Sequence, residues 1–254
     1  MEIALVQTSL QWEDPELNRT HLDAVFKTIS REVDMVVLPE MFTSGFTMDP
    51  TRINPSESQI TLDWMRDWSA KLDAAVVGSI VWKDGEHFRN RLIFMKPDGS
   101  HEAYDKRHTF TLAGEDKVYT RGTASIRVHY KGLTFCPLIC YDLRFPVWSR
   151  YNTPYDVLLY VANWPNPRIS AWDILLRARA IENMAYVIGV NRVGFDSNGH
   201  EYPGHSAVFD VLGKRLGYSE IEEVLYAQLN PAHLKENRAK LRFLNDRDSF
   251  NLEL

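Results

Sequence analysis

Three residues able to carry out chemistry each follow a short apolar run. Glu40 comes after MVVLP, Lys106 closes HEAYDK, and Cys140 follows FCPLI. Such runs are typical of buried β-strands, so the sequence predicts an acid, a cation and a thiol at strand ends. Because strand ends that share one edge collect side chains from distant parts of a chain, we expect a single nucleophilic site.

The three side chains have complementary roles in nucleophilic catalysis. A thiol attacks as its thiolate, and Glu40 is a candidate base for Cys140 because none of the eight histidines lies in an obvious strand-end context. Lys106 supplies positive charge to the thiolate and to an oxyanion on the attacked carbon. Taken singly, such a Cys is more often a small buried hydrophobe, and such a Glu or Lys is more often a surface residue. Their joint occurrence favours a site.

The apolar pattern also predicts the elements that position these residues. Helices are predicted over 15–31, 58–72, 146–151 and 170–184, the last with Ser170 as N-cap and Asp173 completing a capping box. Strands are predicted over 3–7, 34–40, 74–82, 89–97, 101–106, 156–163, 185–193, 205–211 and 223–230, with two more around Lys131–Gly132 within 125–140.

Two similar halves of this pattern predict one domain over residues 1–254 with two sheets. Continuous apolar strands need cover on both faces. We therefore expect an α/β fold, a four-layer α-β-β-α sandwich with the sheets inside and the helices outside. The polar tail, from about 233 to 254, is predicted as a C-terminal arm lying on a partner subunit or on the surface.

Composition and charge narrow the class of protein. The chain has 254 residues and a net charge of −5, which gives no basic footprint, so nucleic acid is not an expected partner. No apolar run is long enough to span a bilayer, and the start, MEIALVQTSLQW, lacks the basic region of a signal peptide. Cys136 and Cys140, about 13 Å apart if both lie on one strand, are expected to be free thiols. These features predict a cytoplasmic protein without membrane association.

The sequence lacks the common motifs for metal and nucleotide binding. HEYPGH (200–205) differs from the HExxH zinc motif, because its histidines are five apart and Pro203–Gly204 forbids a regular helix. No phosphate-binding P-loop or GxGxxG motif occurs. The sequence therefore predicts no metal and no cofactor.

Three motifs resemble the signature regions of the nitrilase (carbon–nitrogen hydrolase) superfamily. They are LPEMF (38–42), YDKRH (104–108) and ICYDLRFP (139–146), in the family's order along the chain. The resemblance implies the α-β-β-α sandwich and a catalytic set of Glu40, Lys106 and Cys140. A second family glutamate between the Lys and the Cys corresponds to Glu115, in LAGE (112–115).

Within the superfamily, PEMFTSGF (39–46), CYDLRFPVWSR (140–150) and YVANWPNPR (160–168) resemble the omega-amidase branch. This implies an amidohydrolase that cleaves the terminal amide of small dicarboxylic acid monoamides, such as 2-oxoglutaramate and succinamate. The reaction would pass through a Cys140 thioester and release ammonia. A distal carboxylate on the substrate needs a cation, and Arg144 and Arg168 are the candidates, with a salt bridge to Asp142 or another acid as the alternative for Arg144. The expected pocket walls are Phe46, Tyr141 and Trp164.

Other interpretations stay open at this point. The chain fits another amidase of the same superfamily, such as a deaminated glutathione amidase or a carbamoylase, because only pocket side chains separate these activities. A non-catalytic binding protein is a further alternative, although the retention of Glu40, Lys106, Cys140 and Glu115 argues against it. The resemblance also implies a homodimer or a higher homo-oligomer.

Overall fold

Two six-stranded sheets lie face to face in the computed structural model, which describes residues 1–29 and 32–252. The strands of the first half are β1 (Glu2–Gln7), β2 (Met35–Val37), β3 (Ala75–Asp84), β4 (His87–Met95) and β5 (His101–Asp105). The second half adds β6 (Val128–Tyr130), β7 (Leu133–Ile139), β8 (Val157–Ala162), β9 (Tyr186–Asn191), β10 (Val193–Phe195), β11 (Glu201–Pro203), β12 (Ser206–Phe209), β13 (Arg215–Ser219) and β14 (Glu223–Gln228). The helices are α1 (Pro15–Lys27), α2 (Glu57–Leu72), α3 (Glu115–Val118), α4 (Pro146–Ser149), α5 (Ile169–Asn183) and α6 (Pro231–Leu241).

Each large sheet has a parallel centre and antiparallel edges. The first runs β14-β1-β2-β3-β4-β5 and the second β13-β12-β9-β8-β7-β6. Strands β1, β2 and β3 are parallel, as are β7, β8 and β9. The last strand, β14, returns to pair with β1, while β10 and β11 form a separate two-stranded ladder. Because β2 and β7 belong to parallel centres, their carboxyl ends can present Glu40 and Cys140 to one site.

Side-chain alternation along the strands separates the inner core from the outer layers. Ile3 and Leu5 of β1 pack into the core between the two sheets, whereas Ala4 and Val6 pack against α1 and α2. Helix α5 covers the other sheet, with Trp172 fully buried against it. These contacts confirm the predicted α-β-β-α sandwich, because both faces of the parallel strands are covered.

The predicted helices over 15–31, 146–151 and 170–184 differ at their ends from α1, α4 and α5, and α4 stops at Ser149. Helix α1 begins after Asp14, whose Oδ1 accepts the Leu17 N–H at 2.9 Å, but it ends at Lys27 instead of residue 31. Ser30 and Arg31 lie outside the described residues. Helix α5 begins at Ile169, directly after a 3₁₀ turn, and no side chain caps it. The predicted capping box is therefore wrong, and Asp173 pairs with His205 instead.

The first part of the tail that was predicted as an arm is a helix. Helix α6 spans Pro231–Leu241 and begins with Asn230, whose side chain accepts the Ala232 N–H at 2.9 Å. Leu234 is buried, and Arg238 donates to the Met184 carbonyl at 2.8 Å. The polar composition hid this anchoring, because polar side chains make much of it, among them Arg238 and His233, which pairs with Asp210 at 3.3 Å. Within the described part of the chain, no helix is long and apolar enough to cross a membrane.

Candidate active site

Four side chains from distant parts of the chain meet where the two sheets face each other. Glu40 follows β2, Lys106 directly follows β5, Glu115 opens α3, and Cys140 directly follows β7. All four are buried, with exposed fractions between 0% and 8%. The structure thus brings together the three strand-end residues and the Glu115 that the family resemblance implied.

Lys106 lies between two carboxylates. Its Nζ donates to Glu40 Oε1 at 2.8 Å and to both Glu115 oxygens, at 2.8 and 3.0 Å. Burial by itself lowers the pKa of the Lys106 ammonium, but the negative charges of Glu115 and Glu40 outweigh it and raise that pKa above its usual range. The site therefore holds a permanent cation.

Glu40 is held by two asparagines as well as by Lys106. Asn90 Nδ2 donates to Glu40 Oε1 at 2.8 Å, and the Asn163 backbone N–H donates to Oε2 at 2.8 Å. The Asn163 side chain also donates to the Glu40 backbone carbonyl at 2.7 Å. Because these partners come from different strands, the carboxylate is fixed in orientation before any substrate arrives.

Cys140 occupies a strained turn between a strand and a short helix. Its φ is +44°, in the left-handed region that residues other than glycine rarely adopt, and a 3₁₀ turn runs from Cys140 to Arg144. Asp142 secures this turn, since its Oδ2 accepts the Ile139 N–H at 3.0 Å. The Cys140 Sγ lies 3.9 Å from the Asn163 carbonyl oxygen.

The thiol is neutral in the resting site. Burial raises the pKa of Cys140 and the negative charge of Glu40 raises it further, while Lys106 lowers it by a smaller amount. The result lies well above the ordinary pKa of a cysteine. A thiol that stays neutral needs a base to remove its proton before it can attack.

The Glu115 carboxylate is bonded to Lys106 through both of its oxygens. Besides Lys106, its carboxylate accepts the Phe110 backbone N–H, and Asn90 Nδ2 lies 3.2 Å from its Oε1. Burial raises the pKa of Glu115 and so does nearby Glu40, with Lys106 opposing both. Asn90 thus donates to both carboxylates, which lowers the repulsion between two buried negative groups.

A cavity of about 250 Å³ opens above Cys140. All five predicted substrate-binding residues line it, namely Phe46, Tyr141, Arg144, Trp164 and Arg168. The sequence did not indicate the other lining residues, which are Met48, Phe110, Ala113, Asn163, Pro165, Asp196, Asn198, His200 and Tyr202. Four of these belong to the β10–β11 hairpin, whose two strands form a ladder separate from the large sheets.

Both arginines of the cavity rest on aromatic rings. The Arg144 guanidinium lies 5.0 Å from the Trp164 ring centre, and that of Arg168 lies 5.1 Å from the Phe110 ring centre. Neither guanidinium has a hydrogen bond or an ion pair with any other described residue. The alternative salt bridge from Arg144 to Asp142 is not formed in the described chain, because Asp142 is bound to Tyr104, His108 and Ile139. The cavity therefore presents two unpaired cations.

Two asparagines of the site were not predicted from the sequence. Asn163 ends the apolar run VLLYVAN in the same way that Glu40 ends its own, so the same strand-end pattern was a usable signal. Asn90 lies inside β4, and nothing in the local pattern sets it apart from a neighbouring polar residue. Its place between Glu40 and Glu115 depends on how β4 packs against the segment after β2 and the start of α3.

Comparison with known proteins places this geometry in a family. The carbon-nitrogen hydrolase family model matches residues 2–239. The chain belongs to the carbon-nitrogen hydrolase family. It is 42% identical to the omega-amidase YafV of Yersinia enterocolitica, over 99% of this chain and 98% of that protein. It is 28% identical to the 2-oxoglutaramate amidase of Bacillus subtilis, over 96% of each chain.

A solved structure of the carbon-nitrogen hydrolase superfamily matches the fold closely. The XC1258 protein of Xanthomonas campestris, which carries an arsenic adduct in its active site, superposes with a TM-score of 0.95. It is 41% identical, and the match covers 100% of this chain and 99% of that one. These similarities confirm the superfamily resemblance and the fold, and they identify the protein as an amidohydrolase.

Proposed function

We propose that this carbon-nitrogen hydrolase is an omega-amidase that cleaves the terminal amide of small dicarboxylic acid monoamides, 2-oxoglutaramate and succinamate among them. One observation carries the proposal. A thiol, a carboxylate and an ammonium converge at the base of a small cavity whose wall holds two unpaired guanidiniums. The names of the similar proteins, omega-amidase and 2-oxoglutaramate amidase, support the same substrate class.

The first half of the reaction is acylation of Cys140. Glu40 takes the thiol proton while Sγ attacks the amide carbon, so a C–S bond forms and the carbonyl electrons move to oxygen. Lys106 and a backbone N–H of the turn after Cys140 stabilise that oxyanion. Glu40 then returns its proton to the amide nitrogen, and the C–N bond breaks. Ammonia departs, and the acyl group stays on Cys140 as a thioester.

The second half is hydrolysis of the thioester. Glu40, again a carboxylate, takes a proton from water as the water oxygen attacks the acyl carbon. The C–S bond breaks, the sulfur recovers a proton from Glu40, and the carboxylic acid is released. Glu115 keeps Lys106 charged and in position throughout, because its two oxygens hold the Lys106 Nζ.

The cavity supports a short substrate with an anionic end. We assign the distal carboxylate to Arg144 and Arg168, which are free to form charge-assisted hydrogen bonds to its oxygens. Phe46, Tyr141 and Trp164 enclose the aliphatic part. At about 250 Å³, the cavity lies below the roughly 300–1,000 Å³ of pockets for drug-sized ligands, which counts against an amide as large as deaminated glutathione.

We further propose that the enzyme is cytoplasmic and forms a homodimer or a larger homo-oligomer. The free thiols of Cys136 and Cys140 suit a reducing compartment. Sedimentation of the purified protein measures its oligomeric state, and a monomer at micromolar concentration would contradict this part. The reaction steps consume only the amide and water.

Ammonia release tests the proposed function. We expect the wild type to release ammonia from 2-oxoglutaramate and succinamate but not from L-glutamine or L-asparagine, and Cys140→Ala to show no more than a trace. Cys136→Ala, at the fully buried second cysteine, is the matched control and should keep turnover. Full activity of Cys140→Ala would contradict the mechanism. If the wild type releases no ammonia from either monoamide, the proposed substrate class is excluded.

A further inference from the structure

Asn163 touches both the base and the nucleophile of the proposed reaction. Its backbone N–H donates to Glu40 Oε2 at 2.8 Å, and its side-chain Nδ2 donates to the Glu40 backbone carbonyl at 2.7 Å. Its own carbonyl oxygen lies 3.9 Å from Cys140 Sγ. Asn163 also lines the cavity in which the substrate amide must lie.

The backbone around Asn163 is held rigidly. The next residue, Trp164, is clamped by Asn191, whose Oδ1 accepts the Trp164 N–H at 2.7 Å and whose Nδ2 donates to the Trp164 carbonyl at 2.9 Å. On the other side, β8 pairs with both β7 and β9. Asn163 therefore presents its side chain from a fixed position, as a recognition group requires.

The orientation of the Asn163 amide follows from its partner. Because the Glu40 carbonyl is only an acceptor, the atom 2.7 Å from it must be the NH₂ group, which leaves Oδ1 on the opposite side. Oδ1 is buried and has no hydrogen-bond partner among the described residues. A buried acceptor without a donor is uncommon in folded proteins, so a donor from a bound molecule is expected here.

We infer that Asn163 Oδ1 accepts a hydrogen bond from the N–H of the substrate's amide, and that this contact selects amides over other acyl compounds. This inference rests on the proposed function and adds a recognition group for the leaving nitrogen. An amide nitrogen seated there lies next to Glu40, which must protonate it as ammonia departs. A substrate whose leaving group has no N–H leaves Oδ1 unpaired and gains no binding energy from Asn163.

The test compares two substrates that differ in the leaving group. We would measure kcat/KM on succinamate and on the S-methyl thioester of succinate, for the wild type, Asn163→Ala and the exposed control Asn152→Ala. Both substrates need Glu40 as the base, but only the amide needs it as the acid for the departing nitrogen, so ligand binding to Cys140→Ala, in which no bond breaks, must show the same preference for the amide. We expect Asn163→Ala to lose at least about tenfold more on the amide than on the thioester, the size of one hydrogen bond. Asn152→Ala should match the wild type on both.

Equal losses on the two substrates would overturn the inference and leave the proposed function standing. No ammonia from any monoamide with the wild type would overturn both.

Calorimetry covers the cases in which Asn163→Ala fails to fold or the thioester is not hydrolysed. Succinamate and monomethyl succinate are titrated into Cys140→Ala with and without the milder Asn163→Ser. Weaker binding of the amide alone supports the contact, and equal weakening of both ligands overturns it.

Discussion

The Tyr104 hydroxyl donates a hydrogen bond to Asp142 Oδ2 at 2.8 Å, which joins the two strand ends that carry Lys106 and Cys140. Tyr104 lies two residues before Lys106, and Asp142 lies two residues after Cys140. Burial and the charge of Asp142 raise the pKa of Tyr104, so the phenol remains a donor. This single contact couples the position of the cation to that of the nucleophile.

Replacing Tyr104 by Phe should therefore affect both stability and catalysis. Asp142 loses a donor, and the Trp148 indole N–H, 3.0 Å from the Tyr104 oxygen, loses its acceptor. We expect the free energy of unfolding to fall by about 1–3 kcal/mol. The kcat for succinamate should fall with little change in KM. Denaturant titration and steady-state kinetics measure the two effects. Tyr130→Phe, which removes a hydrogen bond to the Asp34 carbonyl, should lower stability alone.

Glu115→Gln tests whether the second carboxylate acts through Lys106. The substitution keeps the shape of the side chain and leaves Glu40 as the only anionic partner of Lys106 among the described residues. The ammonium should then draw closer to Glu40 and weaken it as a base, so we expect kcat to fall by about a hundredfold, as for the loss of one preorganised electrostatic group. Asp116→Asn, the exposed neighbour on α3, is the control and should retain full activity. An unchanged kcat in Glu115→Gln would remove Glu115 from the mechanism.

Glu40→Gln should separate thiolate formation from hydrolysis. Because burial and the negative charge of Glu40 both raise the pKa of Cys140, removing that charge should lower this pKa. The pH profile of alkylation by iodoacetamide should shift to lower pH, and alkylation at neutral pH should become faster. Hydrolysis of succinamate should nevertheless be lost, since no group remains to shuttle the proton. Mass spectrometry of the modified peptides measures the first effect and ammonia release the second.

Cys136 provides an internal reference in the same experiment. It is fully buried in the core, and burial raises the pKa of its thiol as well. We expect Cys136 to react more slowly than Cys140, which opens to the cavity, and to react at the same rate in Glu40→Gln as in the wild type. Faster alkylation of both cysteines would indicate loosening of the fold and not a local electrostatic change.

Arg144 and Arg168 should bind the charged end of the substrate and nothing else. Arg168→Lys and Arg144→Gln are expected to raise KM for 2-oxoglutaramate and succinamate by about 10- to 100-fold, the range of a hydrogen bond to a charged group. The KM for a neutral amide of similar length should change little. Arg215→Gln is the matched control, because Arg215 also stacks on a ring, that of Tyr218, but outside the cavity. Equal effects on charged and neutral amides would argue against carboxylate recognition.

The sequence alone determined the layers of the fold and the residues at the three strand ends. Helix α2 was predicted within one residue, and the strands preceding Glu40, Lys106 and Cys140 were all identified. Such features follow from local apolar periodicity, which a single segment displays by itself. The end of α1 and the capping of α5 were missed, because capping bonds and 3₁₀ turns decide helix ends over a few residues.

The tertiary structure alone decided how the site is held and how large it is. Asn163 and Glu40 are bonded although they lie 123 positions apart, and Asn90 joins two carboxylates that no local pattern relates. The β10–β11 hairpin completes the cavity wall without any chemical motif of its own. A local pattern shows that a strand will end in a polar residue. Only the register between strands and the packing of the two sheets determine which polar residues then share one buried space.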